Sequence, residues 1–551
     1  MYSNKENVNI LTALLVKYGV RDAVVCPGSR NAPIVHNLNE CPLICCHPVT
    51  DERSAGFCAL GIAQATDLPV VVCVTSGSAL LGVVPAVAEA CYQHQSLIVV
   101  SADRPEAWID QLDGQTLRQP GACEPWVART VSLPEPTDDV SRWHCNRLVC
   151  EALLETQLPH RPCVHINVPI TEPLFLFDQK ELPDERMICR YEPIADYGCL
   201  PVPLVDDLYQ ARRPMIVFGQ AIPSLFADKG IDCLFGHVIV LHEQLAPFPN
   251  VSHFDEVLLA SRSTLLPDFV LYVGEAIVSK RLKQFLRQAT DARVWRVSAT
   301  GSVEDVFMNL RGIVKGDAEM VLQALDDRLK RRQLDSTAYR REWLHLLTEA
   351  RQRSLAYQPP YSQMAAVRLF EQSLSSLPGP WQVHYANSTA IRLANIYAQH
   401  HVWCNRGVNG IEGSLSTAVG FSLRREEKVF CVIGDLSFFY DQNALWNQGL
   451  RGNLRILLLN NGKGGIFNML PGLEQSPARD ALVAARHHAT AQGVCGQHDV
   501  YYQQATNMTE LQQGIDLLLT SDFARPMLLE VMTSAEDDER VLREYYRLFT
   551  R

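Results

Sequence analysis

The sequence predicts an α/β protein made of three doubly wound parallel-sheet domains. Short β-branched runs recur along the chain, separated by helical stretches. Most of these runs are continuously apolar, as strands are when helices cover both faces of a parallel sheet. A strand–turn–helix–strand unit also recurs with one spacing near both ends. In the first copy 26 residues separate the strand ends Val74 and Val100, and in the second 26 separate Ile433 and Leu459.

Taken in order, the first domain is expected over residues 1–185. Its strands are Ala23–Cys26, Val70–Thr75, Leu97–Ser101 and Val164–Val168, each an apolar run bounded by turn residues. A second domain, 186–350, is entered through Leu182-Pro-Asp and Pro201-Val-Pro. Its strands are Met215–Gly219, Val238–Leu241, Phe269–Val273 and Val294–Val297. The charged run from Asp326 to Glu342 closes it and reads as a solvated helix face. After Gln358-Pro-Pro the third domain, 351–551, carries strands Val429–Gly434 and Ile456–Asn460.

Composition narrows the partners. The 551 residues are 47% hydrophobic with a net charge of −11, which argues against a nucleic-acid binder with a broad basic face. Anionic ligands must then be held by local Arg and Lys. No apolar stretch is long enough for a membrane span, and the N-terminus lacks the pattern of a signal peptide. The 17 cysteines include several inside apolar runs, such as Cys73 and Cys431, which fits reduced thiols in a cytoplasmic protein. Cys41, Cys45, Cys46 and His47 lack zinc-site spacing and are expected to be structural. No GxGxxG or GxxxxGK[ST] stands at a strand-to-helix turn, and the adjacent pairs His400-His401 and His487-His488 are given no role.

Two turns carry chemistry. Gly434-Asp435-Leu436-Ser437 follows a buried strand and opens a helix, and Asn460-Asn461-Gly462-Lys463-Gly464-Gly465 follows the next strand. In a parallel sheet both lie at the carboxyl edge, where α/β proteins bind ligands. A Gly-rich turn at a helix start suits phosphate, and Asp435 and Asn461 offer hard oxygens for Mg²⁺. Either turn alone would read as an ordinary capped turn.

A Gly-Asp followed about 25 residues later by Asn-Asn resembles the diphosphate-and-metal motif of the thiamine diphosphate enzymes. The third motif residue is Leu436 here, where that family usually has Gly. The resemblance implies two related domains, one for the pyrimidine and one for the diphosphate. It also implies a glutamate on pyrimidine N1′, and Glu52 in Asp51-Glu52-Arg53-Ser54 fits. Local sequence alone reads Glu52 equally as a first-turn acid favoured by the helix dipole, with Asp51 as N-cap.

Further segments resemble one branch of that family, the menaquinone-pathway synthases that form 2-succinyl-5-enolpyruvyl-6-hydroxy-3-cyclohexene-1-carboxylate. They are Pro27-Gly28-Ser29-Arg30, Thr75-Ser76-Gly77-Ser78, Ala102-Asp103-Arg104-Pro105, Gln115-Thr-Leu-Arg, Ser279-Lys280-Arg281, Asn387-Ser388-Thr389-Ala-Ile-Arg392 and Asn405-Arg406-Gly407-Val-Asn-Gly410-Ile411. The resemblance implies decarboxylation of 2-oxoglutarate and addition of the succinyl carbanion equivalent to isochorismate, with Mg²⁺ or Mn²⁺. It places Ser388, Arg392 and Arg406 on the donor carboxylates, and Ser29, Arg30, Arg104, Gln115, Lys280 and Arg281 on isochorismate. Ser76, Gly77, Gly410, Gly434, Leu436 and Ser437 would touch the cofactor. Ile411 would prop its bent conformation, with core packing as the alternative. Ile466, Phe467 and Leu470 would wall the reacting centre, and Lys463 would lend a backbone carbonyl to the metal. It also implies a homodimer or dimer of dimers with sites between subunits. The alternatives are an acetolactate-synthase-like carboligase or decarboxylase, or a non-catalytic metabolite sensor on the same fold.

Overall fold

A computed structural model describes all residues except 191–199, 222–230, 249–250, 261–262, 333, 470–471 and 551. Sixteen strands among the described residues form three sheets, and every ladder within them is parallel. The first holds β1 (Asp22–Val25), β2 (Cys45–Pro48), β3 (Val70–Val74), β4 (Leu97–Asp103), β5 (Val127–Ser132) and β6 (Cys163–Pro169), in the order β2-β1-β3-β4-β6-β5. The second holds β7 (Pro214–Phe218), β8 (Ile239–His242), β9 (Phe269–Val273), β10 (Arg293–Ser298) and β11 (Leu310–Lys315), ordered β11-β10-β9-β7-β8. The third holds β12 (Trp381–Tyr385), β13 (Lys428–Gly434), β14 (Leu454–Asn460), β15 (Tyr501–Ala505) and β16 (Met527–Met532), ordered β12-β13-β14-β16-β15.

All ten strands expected from the sequence are present, with ends displaced by no more than two residues. Strands β2, β5, β11, β12 and β15 were not anticipated. Each lies at a sheet edge and is partly open to solvent, so none has the continuous apolar run of an interior strand. Strand β16 is interior, but Glu530 interrupts its apolar run. That buried carboxylate accepts hydrogen bonds from Asn460 Nδ2 (2.7 Å) and Tyr502 Oη (2.7 Å).

The repeat is real at the level of topology. Without its extra edge strand β2, the first sheet reads β1-β3-β4-β6-β5, and the third reads β12-β13-β14-β16-β15 with the same connectivity. The charged run near residue 330 is solvated as expected at Asp327, Arg328, Lys330, Arg331, Arg341 and Glu342, with Asp326 the exception. It belongs to two helices, Ala318–Arg331 and Thr337–Ala356, and Asp326 is buried, accepting the Leu234 N–H at 2.7 Å. No helix of the described residues is long and apolar enough to cross a membrane.

The two related domains meet through equivalent helices, Glu52–Thr66 and Ser414–Leu423. Glycine is required where they cross. A Cβ at Gly61 would stand 2.0 Å from the Thr417 carbonyl oxygen, and one at Gly420 would stand 2.0 Å from that of Cys58. Beside this crossing the buried Glu89 carboxylate accepts the Gly407 and Val408 N–H groups at 2.7 Å each. Substituting Gly61→Ala is expected to force the helices apart and cost about 1–3 kcal/mol. Urea unfolding with an unchanged midpoint would contradict this account.

Candidate active site

The carboxyl edge of the third sheet is organised by one carboxylate. Asp435 opens the helix Asp435–Tyr440 directly after β13 and is buried. Its Oδ1 accepts the Leu436 N–H at 2.7 Å, and its Oδ2 accepts those of Asn461 (3.1 Å) and Gly462 (2.8 Å). The ends of β13 and β14 are thereby tied together, as the spacing of the two turns predicts. Gly462 takes φ +75°, the left-handed region that a glycine tolerates in a tight turn. Lys463 sends its buried side chain to Glu536 (3.0 Å) and Asp480 (3.4 Å), so its carbonyl is the only part left for a metal. Ser437 Oγ donates to the Ile411 carbonyl at 2.5 Å. Space beyond Gly434 is open, since a Cβ there would meet nothing within 4 Å. A carboxylate, an amide oxygen and a backbone carbonyl form a hard-oxygen donor set, suited to a small divalent cation with diphosphate.

A second group forms after β12. Ser388 is held at φ +74°, a strained conformation for a residue with a Cβ. Arg392 Nη1 donates to the Ser388 carbonyl at 3.0 Å. Arg406 Nη1 donates to Asn387 Oδ1 (3.0 Å), and Asn387 Nδ2 donates to the carbonyls of Asn405 (2.6 Å) and Gly410 (2.7 Å). Asn387 therefore pins the loop that carries Arg406, Gly410 and Ile411. Among the described residues, neither Arg392 nor Arg406 is ion-paired with a carboxylate, and Arg406 Nε is buried without a hydrogen-bond partner. Burial and the neighbouring Arg406 charge lower the pKa of Arg392. Two neighbouring guanidinium groups, Arg392 half-buried and Arg406 buried, without an ion pair among the described residues have the chemistry to attract an anion.

The central domain supplies the third group. Lys280 and Arg281 start the helix Lys280–Arg287, whose N-cap Ser279 accepts the Leu282 N–H at 3.0 Å. Glu243, just past β8, accepts the N–H groups of Val278 (2.6 Å) and Ser279 (2.7 Å) and so fixes the turn before them. Arg281 pairs with Asp255 and lies over the Tyr546 ring at 4.5 Å. A cavity of about 480 Å³ joins these groups, lined by Lys280, Arg281, Arg392, Asn461 and Ile466 among others. Phe467 packs at Gly464, and Leu470 lies outside the described residues. Ile411 is 41% exposed, which rules out the core-packing alternative within one chain.

The predicted N-terminal residues gather at the carboxyl edge of the first sheet. Glu52 starts its helix after the N-cap Asp51, whose Oδ1 accepts the Arg53 N–H at 2.9 Å. Gly82 leaves room for it, since a Cβ there would stand 2.9 Å from Glu52 Cβ. Gly77 donates its N–H to Gln119 Oε1 at 2.7 Å and packs on the backbone of Gln115. Ser76 Oγ is buried without a partner. Ser29 is exposed. Arg30 is committed to the Ile170 carbonyl (3.0 Å) and Glu172 (3.1 Å), and Arg104 to Asp113 (2.9 Å). None of these residues lines the cavity, which is built from central and C-terminal residues only.

Sequence reasoning missed Asn387, Glu243, Asp538 and His487 as parts of the site. Asp538 accepts from Asn461 Nδ2 (3.0 Å), and His487 Nε2 lies 3.4 Å from Asp435 Oδ2. Asn387 heads a motif already noted; the others have no local signal, because their partners are distant in the chain. Asp22, Cys45 and His47 are close enough to share a metal ion. His47 is hydrogen-bonded to Asp22 at 2.8 Å, with the Arg424 cation 3.4 Å from the same oxygen.

Comparison with known proteins gives a consistent picture. The family described as "Thiamine pyrophosphate enzyme, N-terminal TPP binding domain" matches residues 6–121, and its C-terminal TPP binding counterpart matches 386–531. A protein of Bacteroides fragilis is 43% identical, one of Bacteroides thetaiotaomicron 42% and one of Phocaeicola vulgatus 41%, each alignment covering 99% of both chains. All three are named 2-succinyl-5-enolpyruvyl-6-hydroxy-3-cyclohexene-1-carboxylate synthase.

Glu243 generates a test of this geometry. Burial pushes its carboxyl up to about 7, against its two N–H bonds and the Arg406 charge. Arg392, Lys283 and Asp255 are the other charged groups facing it. The folded chain therefore holds a proton that the unfolded chain has lost, between about 4.5 and about 7. Stability from this proton is full below the lower value and is lost as pH rises through the upper one, by about 1.4 kcal/mol per pH unit between them. Glu243→Gln removes this dependence. The stability of the wild type relative to the variant should fall across that window, and a constant difference would refute the assignment.

Proposed function

We propose, for a chain that belongs to the thiamine diphosphate-dependent 2-succinyl-5-enolpyruvyl-6-hydroxy-3-cyclohexene-1-carboxylate synthase family, that the cavity beside Asn461 and Arg392 is one half of an active site completed by a second chain. The protein is a transferase of menaquinone (vitamin K2) biosynthesis that decarboxylates 2-oxoglutarate and adds the succinyl unit to isochorismate. The observation that carries the site assignment is the pair Arg392, half-buried, and Arg406, buried, close enough for the charge of one to act on the other and without a carboxylate ion pair among the described residues. Both substrates are dianions, and in a protein of net charge −11 such a pair is where a carboxylate gains most.

Bound thiamine diphosphate supplies the electron sink that decarboxylation of a 2-oxoacid requires. The chain's own groups do the rest. Asp435, Asn461 Oδ1 and the Lys463 carbonyl hold Mg²⁺ or Mn²⁺ against the diphosphate, with Gly434, Leu436 and Ser437 beside it. Gly410 and Ile411 support the ring system, and Ser76 and Gly77 close over it. The Glu52 carboxyl exchanges a proton with pyrimidine N1′. Ser388, Arg392 and Arg406 orient the 2-oxoglutarate carboxylates. Lys280 and Arg281, with Ser29, Arg30, Arg104 and Gln115, orient isochorismate. Ile466 and Phe467 exclude water from the reacting carbon, which delays its protonation. The unpaired cysteines of the described residues support a reducing, cytoplasmic setting. The separation of Glu52's cluster from the cavity supports a homodimer or dimer of dimers.

The direct experiment incubates the protein with thiamine diphosphate, Mg²⁺, 2-oxoglutarate and isochorismate and identifies the product by mass. Glu52→Gln should keep the fold and lose turnover by roughly 10²–10⁴-fold, because an amide cannot return the N1′ proton. Turnover near that of the wild type would remove Glu52 from the mechanism. Asp435→Ala should abolish metal-dependent cofactor binding in calorimetry while the apo-protein stays folded. Mixing these two inactive variants under subunit exchange should restore activity to about a quarter of wild type, since half the dimers are mixed and each has one intact site. An exchanging mixture that stays inactive would place each site within one chain.

A further inference from the structure

We propose that Asp538 is a positioning residue for Asn461: it holds the Asn461 side-chain amide so that Oδ1 is left to face a divalent cation. The inference rests on the reading of Asn461 as a metal ligand. An asparagine amide has two ends of similar size, one an acceptor and one a double donor, and only the acceptor can coordinate a cation. Something must therefore select which end faces the metal.

The surroundings of Asp538 make that selection. Its Oδ1 accepts the backbone N–H of Gln363 at 2.8 Å. Its Oδ2 accepts Thr533 Oγ1 at 2.7 Å and Asn461 Nδ2 at 3.0 Å. Every partner is a donor, so the carboxylate presents only acceptors to the amide. Turning the amide over would set its carbonyl oxygen against this carboxylate and lose a charge-assisted bond. The backbone of Asn461 is fixed independently, through its N–H to Asp435 Oδ2 at 3.1 Å. Main chain and side chain are thus each held by a carboxylate, Asp435 and Asp538.

The same helix turn also holds the far end of this loop. Asp538 lies in the first turn of the helix Ala535–Arg547, and Glu536 in that turn pairs with Lys463 Nζ at 3.0 Å. At its other end the helix carries Tyr546, which lies under Arg281. One C-terminal helix therefore braces the metal turn and a substrate-binding arginine together.

The test reads Mn²⁺ affinity in the presence of thiamine diphosphate, by the electron paramagnetic resonance signal of free Mn²⁺, and does not depend on turnover. Asp538→Asn should weaken Mn²⁺ binding by about 10–100-fold, the usual effect of losing a partner that orients a metal ligand. In an Asn461→Asp background both side-chain oxygens are equivalent, so Asp538→Asn should there cost less than about threefold. The same loss in both backgrounds, or no loss in either, would overturn the proposal. Asn461→Ala separates it from the reading beneath: unchanged Mn²⁺ affinity there would mean that Asn461 is not a ligand at all. Loss in Asn461→Ala with no loss in Asp538→Asn would overturn the role of Asp538 alone. Should Asp538→Asn not fold, Thr533→Val removes one donor that holds Oδ2. It should weaken Mn²⁺ binding by about threefold or more, and unchanged affinity would overturn the proposal.

Discussion

The site depends on one carboxylate accepting backbone N–H groups from two strand ends. Asp435 leaves β13 and takes the N–H groups of Asn461 and Gly462 at the end of β14. Neighbouring parallel strands reach the same edge of a sheet, but their loops could still diverge. The buried carboxylate prevents this, because each N–H it accepts would otherwise lose a partner away from water. The distance between a candidate metal carboxylate and its neighbouring amide ligand is set by that bond network.

The same device recurs wherever a loop must be placed. Glu243 takes two N–H groups and sets the turn before Lys280 and Arg281. Glu89 takes two more and sets the loop that follows Arg406. The cavity holds Lys280, Arg281 and Arg392, with Arg406 nearby. Arg281 is neutralised by Asp255, whereas Arg392 and Arg406 have no ion pair among the described residues. Like charges that face one another away from bulk water raise one another's energy, as the pKa of Arg392, lowered by burial and by the Arg406 charge, reflects.

The internal repeat gives the chain two sheets of one topology and two equivalent helices, which pack through Gly61 and Gly420. That packing uses one face of each domain within the chain. It leaves Ile411 exposed and keeps the Glu52 cluster out of the cavity. A protein assembled from two similar halves can bury the remaining faces against a second copy, which is the arrangement proposed for its active sites.

Sequence by itself determined the α/β class, ten of the strands, the repeat, and the identity of the motif residues. These are local properties: apolar period, turn chemistry and the spacing of Gly, Asp and Asn are all set by neighbours in the chain. It missed edge strands such as β5 and β15, whose open faces carry no continuous apolar run. Tertiary structure alone decided which cations are free. Arg30, Arg104, Arg281, Arg392 and Arg406 look alike in sequence, yet three are paired with Glu172, Asp113 and Asp255 and two have no ion pair among the described residues. It alone supplied Glu243 and Asp538, whose partners lie 35 and 77 residues away. A hydrogen bond between distant segments depends on where the fold brings them, and no local pattern of residues encodes that meeting.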